Sequence, residues 1–128
     1  MSVDVSQVQR LSRDLYRAGP QVQVRVRAVV ERGAVNVKRD WRANAAASAG
    51  RHARLYPASI SYDMRHYTGG AIAEIGPDKG RPQGALGNLL EYGSSRNPPH
   101  MDGARALAAE APRLAEQIAA AVGRQVLS

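Results

Sequence analysis

Three residue types in one short stretch invite a catalytic reading: Ser94, His100 and Asp102 lie within nine positions of each other. A serine nucleophile needs a base and an orienting carboxylate, and these are the right types. The expected strand–turn–helix elbow around the serine, G-x-S-x-G, is absent, however, and loop serines beside glycine are ordinary turn residues. The other histidines, His52 and His66, stand at no ligand spacing relative to each other or to His100. There is no cysteine, which removes disulfides, zinc–thiolate sites and thiol nucleophiles. The glycines of GPDKGRPQGALG suggest a phosphate cradle, but Lys79 precedes Gly80 and Arg81-Pro82 follows it. A phosphate loop needs Lys and then Ser/Thr after its last glycine. Neither a cofactor nor a metal is expected, and the stretch reads as a mobile surface loop.

Charge is the next candidate for function. The formal net charge is +7; residues 1–54 hold 11 Lys+Arg against 4 Asp+Glu, whereas residues 55–128 hold 7 of each. The whole excess therefore lies in the N-terminal part. It comprises Arg10, Arg13, Arg17, Arg25, Arg27, Arg32, Lys38, Arg39, Arg42, Arg51 and Arg54. Such a one-sided set suits nucleic acid or an acidic protein surface. Interleaved aromatics are few, with only Tyr16 and Trp41, and no DNA-reading motif is visible.

The elements that position these residues follow from periodicity. Val5, Val8, Leu11 and Leu15 recur at spacings of three and four, predicting a helix over 4–18, capped by Asp4 and stopped by Gly19-Pro20. Val22, Val24 and Val26 alternate as in a strand. The longer stripe Val22, Val26, Val29, Val30, Gly33, Val37 and Trp41 instead predicts a helix over 20–49. Residues 57–64 alternate Ile60, Tyr62 and Met64 with polar residues, and 71–76 form a second strand; Thr68-Gly69-Gly70 closes them into an antiparallel hairpin. Residues 85–92 read as a short helix or strand-like stretch, and 93–101 as a loop. A helix follows over 103–126, with a kink or break expected at Pro112. The fold class is α+β in a single domain of 128 residues: N-terminal helices, a small antiparallel sheet with a hairpin, and a C-terminal helix. Residues 1–54 are its basic helical segment. No apolar run approaches the roughly 18 residues of a membrane span. The N-terminus has no apolar signal core, so a cytosolic product is expected. Much of the apolar content is alanine and there is no phenylalanine. Alanine buries little area, at about 25 cal/mol per Å², which hints at assembly with neighbours.

The stretches IAEIGPDKG, LGNLLEYGSSRNPPHM and ARALAAEAPRLAEQIAAAV occur in an order that resembles the small neck or tail-completion proteins of long-tailed bacteriophages, the gene-product-ten-like family of tail components. The resemblance covers residues 57–126 and is loose over 1–56. Where an aromatic often follows the loop proline in that family, this chain has His100-Met101 after Pro99. The resemblance implies a protein without an active site, a ring of six-fold character that joins the head-closure (stopper) ring to the tail terminator or tail tube, with DNA passing as cargo. It implies location in the virion, assembly in the host cytoplasm and no membrane partner. It makes Leu89, Leu90, Glu91, Tyr92 and Gly93 a structural corner, with Leu89, Leu90 and Tyr92 fixing the segment to the sheet and Gly93 supplying an angle closed to other residues. Pro98-Pro99 would stiffen the exit. The loops 77–84 and 93–101 would dock adjacent rings, and Arg39, Arg42, Lys79, Arg81, Arg96, Pro98, Pro99 and His100 form the expected interface. On this reading Tyr92→Ala destabilises the monomer, and reversing Arg39 and Arg42 to Glu leaves the fold intact. A tail terminator of the same junction is the near alternative. A basic nucleic-acid-binding protein is the alternative of another class, and a small hydrolase is a third.

Overall fold

A computed structural model describes residues 9–14, 20–48, 50–67, 70–94 and 99–127. Its elements are β1 (Gln9–Asp14), α1 (Pro20–Ser48), β2 (Ile60–Tyr67), β3 (Gly70–Pro77), α2 (Gly87–Tyr92) and α3 (Asp102–Leu127), with short 3-10 turns at Arg51–Ala53, Pro57–Ser59 and Gly84–Leu86. The architecture is α+β. The strands form one antiparallel sheet in the order β1-β3-β2. Helix α1 lies on the sheet, chiefly over β3, and α3 packs on α1.

Helix wins over strand in the valine-rich stretch because its stripe is longer. Val22, Val26, Val30, Ala34, Val37, Trp41 and Ala45 are all buried, while Val24, which a strand would place beside Val22 and Val26, is 63% exposed. Pro20 opens the helix, where its missing N–H removes nothing. The alternation in β2 is equally visible: Ile60 is in the core and Tyr62 and Met64 pack against it. The hairpin register runs from Ile60↔Pro77 to Tyr67↔Gly70.

The expected helix over 4–18 is corrected in part, because Gln9–Asp14 is a strand; the remainder of that range lies outside the described residues. The reason is the demand of β3. That strand is buried along nearly its whole length. An unpaired backbone group there would forfeit about 1–3 kcal/mol, and β2 serves only one side. Pairing from Gln9↔Ile75 to Asp14↔Gly70 serves the other, and this outweighs a local helical spacing. The segment over 85–92, read as helix or strand-like, is helix from Gly87. Of the kink or break expected at Pro112, the break does not occur, since α3 is one continuous helix through it. Pro112 lies on the exposed side, and so does Ala108 four residues back, whose carbonyl loses its helical partner and meets water instead.

One hydrophobic cluster joins α1 to Ala53, Tyr56, Ile60, Ala73, Ile75 and Ala106, with Leu86, Leu90, Leu107 and Leu114 packed against it. The start of α3 approaches α1 so closely that a Cβ on Gly103 would sit 2.7 Å from the Trp41 ring. Gly103→Ala is therefore expected to destabilise the fold by about 1–3 kcal/mol through overpacking, read as a lowered denaturant midpoint with an unchanged slope.

Candidate functional site: the corner and the basic face of α1

The corner is built on a buried acid. Helix α2 ends at Gly93, whose φ of 78° and ψ of −175° are open to glycine alone, as expected. Its N–H donates to the Leu89 carbonyl at 2.8 Å. The chain returns beside α2: His100 N–H donates to Leu90 O at 2.8 Å and Met101 N–H to Glu91 O at 3.1 Å. Glu91 is only 1% exposed. Its carboxylate oxygens accept the N–H groups of Gly103 at 2.9 Å and Ala104 at 3.0 Å. These donors of the first turn of α3 have no partner within the helix, and the positive end of the helix dipole favours a negative charge there.

A second buried carboxylate, Asp102, lies beside the first. It accepts the Ser48 hydroxyl at 2.7 Å and the Arg105 guanidinium, while Asn44 Nδ2 donates to its backbone carbonyl at 3.1 Å. His100 Nδ1 lies 3.1 Å from Ser48 Oγ and 3.8 Å from Asp102 Oδ2. A serine, a histidine and an aspartate thus meet, but the serine is Ser48 and not Ser94. Their order differs from a catalytic relay. The Ser48 proton goes to Asp102, so His100 does not stand between acid and hydroxyl. The group works as a latch between the end of α1 and the start of α3. Ser48 and Asn44 were missed in the sequence; their i,i+4 spacing was the available signal.

Beneath the latch lie Trp41 and Tyr56, both buried, whose Nε1 and hydroxyl have no aligned hydrogen-bond partner among the described residues. The Tyr56 hydroxyl is pushed well above the ordinary tyrosine range. Burial is the main cause, the adjacent Trp41 opposes it, and the Glu91 and Asp102 charges add to it. Two expectations for the corner are corrected. Leu89 and Tyr92 do not fix the segment inward; they are 42% and 49% exposed. Leu90 packs on the core, and Glu91 carries the anchoring.

The expected interface residues divide. Arg42 is consumed inside the fold, donating through Nε and Nη2 to the Ile60 carbonyl at 2.9 and 2.6 Å and reaching Ala58 O at 3.4 Å. Reversing its charge would set a carboxylate against carbonyl oxygens, so the expectation that this leaves the fold intact is withdrawn. Arg81 also binds Ala58 O, at 3.2 Å, and pairs with Asp78. Gln83 stitches the same loop to His52 O and Leu55 N–H at 2.7 and 2.6 Å. The loop read as mobile is thereby tied down. Arg39 is 62% exposed beside Asp40. Lys79 and Pro99 are exposed and His100 is half-buried; Arg96 and Pro98 lie outside the described residues. Arg27 donates to Tyr67 O at 2.8 Å. Arg27 and Arg42 thus brace the two ends of β2 from α1.

Arg25, Arg32 and Arg39 recur every seven residues on α1 and are exposed. Arg32 borders a groove of about 200 Å³ between α1 and α3, which Val29, Gly33, Asn36, Glu110 and Leu114 also line. Buried Glu110 there accepts Asn36 Nδ2 at 3.0 Å and pairs with Arg113 at 3.0 Å, and Arg113 continues to Asp40 at 3.4 Å. Among the described residues no group of three or more acidic, histidine or cysteine side chains is placed to hold a metal, and no helix is long and apolar enough to cross a membrane. Comparison with known proteins found no family, no curated protein and no solved structure that matches the chain.

Two stability measurements check the corner. Glu91→Gln keeps the shape but turns an amide toward helix N–H groups; it should cost about 1.5–3 kcal/mol, whereas Tyr92→Ala, at the surface, should cost less than about 1 kcal/mol. Tyr56 holds its proton more firmly folded than unfolded. Its contribution is complete below about pH 10, where an unfolded tyrosine ionises, and is lost as the pH climbs further. Tyr56→Phe should flatten the alkaline limb of the stability–pH curve.

Proposed function

We propose that this chain is a structural protein of the head–tail junction of a long-tailed bacteriophage. In this reading it assembles as a ring that joins the head-closure ring to the tail terminator and tail tube and lets DNA pass. The observation that carries the reading is the use made of the Leu90-Glu91-Tyr92-Gly93 corner. The residues on which the resemblance rests spend their polar groups on the architecture of the chain itself: Glu91 caps α3, Gly93 turns the backbone, and His100 and Asp102 latch to Ser48. What the corner presents outward is apolar, namely Leu89, Tyr92 and Met101, with Pro99 exposed beside them. Clustered exposed apolar side chains on a folded support suit docking to another protein. Its work is then structural rather than catalytic. A tail terminator would use the same surface.

A second reading is favoured by the arginines at 25, 32 and 39, whose heptad spacing lines one exposed side of α1. Such a stripe suits phosphates, and it predicts duplex or single-strand binding that weakens steeply with salt.

Quantitative mass spectrometry of purified virions, scaled to the portal, separates the two. A ring's complement of copies per particle is expected. Presence in infected cells with absence from particles would overturn the virion reading, and salt-steep DNA binding by the same protein would then establish the second.

A further inference from the structure

Strand β2 forms one edge of the sheet, and its open side has a definite hydrogen-bonding phase. Asp78 N–H donates to Ser59 O at 2.9 Å, and these two residues continue the register of Ile60↔Pro77. Bonded and unbonded pairs alternate along an antiparallel ladder. Residues 61, 63, 65 and 67 therefore bond inward to β3, and Ile60, Tyr62, Met64 and His66 turn their N–H and C=O groups outward. Arg42 occupies the outward carbonyl of Ile60. Among the described residues, no hydrogen bond reaches the outward groups of Tyr62, Met64 or His66.

Helix α1 runs antiparallel to this edge. Arg27 meets Tyr67 O and Arg42 meets Ile60 O. Fifteen helical residues rise about 22 Å and seven strand residues about 23 Å, so the midpoints coincide: positions 34–35 of α1 lie beside positions 63–64 of β2. Val24, Glu31, Val35 and Lys38 share the helical stripe of Arg27 and Arg42. The stripe contains the exposed valines of α1, Val24 at 63% and Val35 at 37%. Glu31 accepts the Tyr62 hydroxyl at 3.3 Å, and Lys38 Nζ lies 5.3 Å from the centre of the Tyr62 ring.

We infer that two copies of this chain pair edge to edge along β2, antiparallel about a two-fold axis at Met64. The charges select this register. With Met64 opposite itself, Asp63 of each copy faces Arg65 of the other, whose guanidinium touches Glu74 of its own chain through one nitrogen at 3.1 Å and is otherwise 63% exposed; shifting the axis to Asp63 would set two aspartates face to face. The same axis, carried down to positions 34–35 of α1, sets Glu31 of each copy opposite Lys38 of the other. Both complementarities arise from one symmetry operation, and they lie on different elements. Space is adequate too. Strands are about 4.8 Å apart and α1 lies chiefly under β3, so the two α1 axes stand about 14 Å apart, beyond the 8–10 Å of direct helix contact. Glu31, Val35 and Lys38 fill that gap. Edge strands carrying charge usually resist pairing. Here opposite charges two residues apart make the edge self-complementary. The inference rests on β2 and α1 alone and stands or falls separately from the virion reading.

The chain has no cysteine, so a single one reports proximity. Opposed residues of a bonded pair have Cα atoms about 5.5 Å apart, within disulfide reach. Mild oxidation should convert Met64→Cys to a covalent dimer and leave Ala119→Cys, on the exposed side of α3, uncrosslinked. In sedimentation, Glu31→Lys and Lys38→Glu should each raise the dimer dissociation constant roughly tenfold, and mixing the two variants should restore wild-type affinity as a heterodimer. Equal cross-linking of both cysteine variants, a natively folded Met64→Cys that stays monomeric, or a mixture that associates no better than its components would each overturn the pairing.

Discussion

The carboxylate of Glu91 at the N-terminus of α3 is the contact on which the arrangement depends. A buried carboxylate is tolerable only where hydrogen bonds replace its water, and a helix N-terminus supplies both donors and field. That single pairing fixes where α2 ends, because Glu91 must face inward from its last turn. It fixes where the chain returns, because Leu90 and Glu91 carbonyls hold His100 and Met101. It fixes where α3 begins, one residue from the Trp41 ring that Gly103 touches. Asp102, Ser48 and Asn44 then join the same end of α3 to α1. The described parts of the distinctive stretch, Leu86–Ser94 and Pro99–Met101, thus act as a clasp.

The sequence was legible where a feature is periodic. The stripe from Val22 to Trp41 and the alternation in β2 each repeat over several positions, and one local conformation satisfies each. The positive-φ turn at Gly93 was legible because glycine alone adopts it readily. β1 was not, since the need for it arises on β3, some sixty positions away. Glu91 was visible as an acid in an apolar run, but its partners at 103 and 104 depend on a chain reversal that spacing does not encode. Tyr92, the larger and more apolar neighbour, was the natural anchor to expect, yet helix geometry turns it outward.

Charge behaves similarly. Composition gives the sign and its N-terminal location but not what each cation faces. Arg27 and Arg42 hold backbone carbonyls of β2, Arg65 meets Glu74, and Arg105 and Arg113 meet buried acids. Part of the basic surplus therefore works as internal bracing. The alanine content has a related structural use: Gly33 on α1 and Ala106 and Ala121 on α3 are buried small residues. They let two long helices approach where larger side chains would hold them apart.

The paired braces at Arg27 and Arg42 make α1 a gauge for β2. Fifteen helical steps and seven strand steps agree in length to about one ångström. Substitutions within either segment leave that agreement untouched. Insertion or deletion of one residue does not: in β2 it displaces one guanidinium from its carbonyl by a full strand step, and in α1 it also rotates the brace by about 100°. A change in chain length is thereby absorbed more easily in the connections than in the spans 27–42 and 60–67.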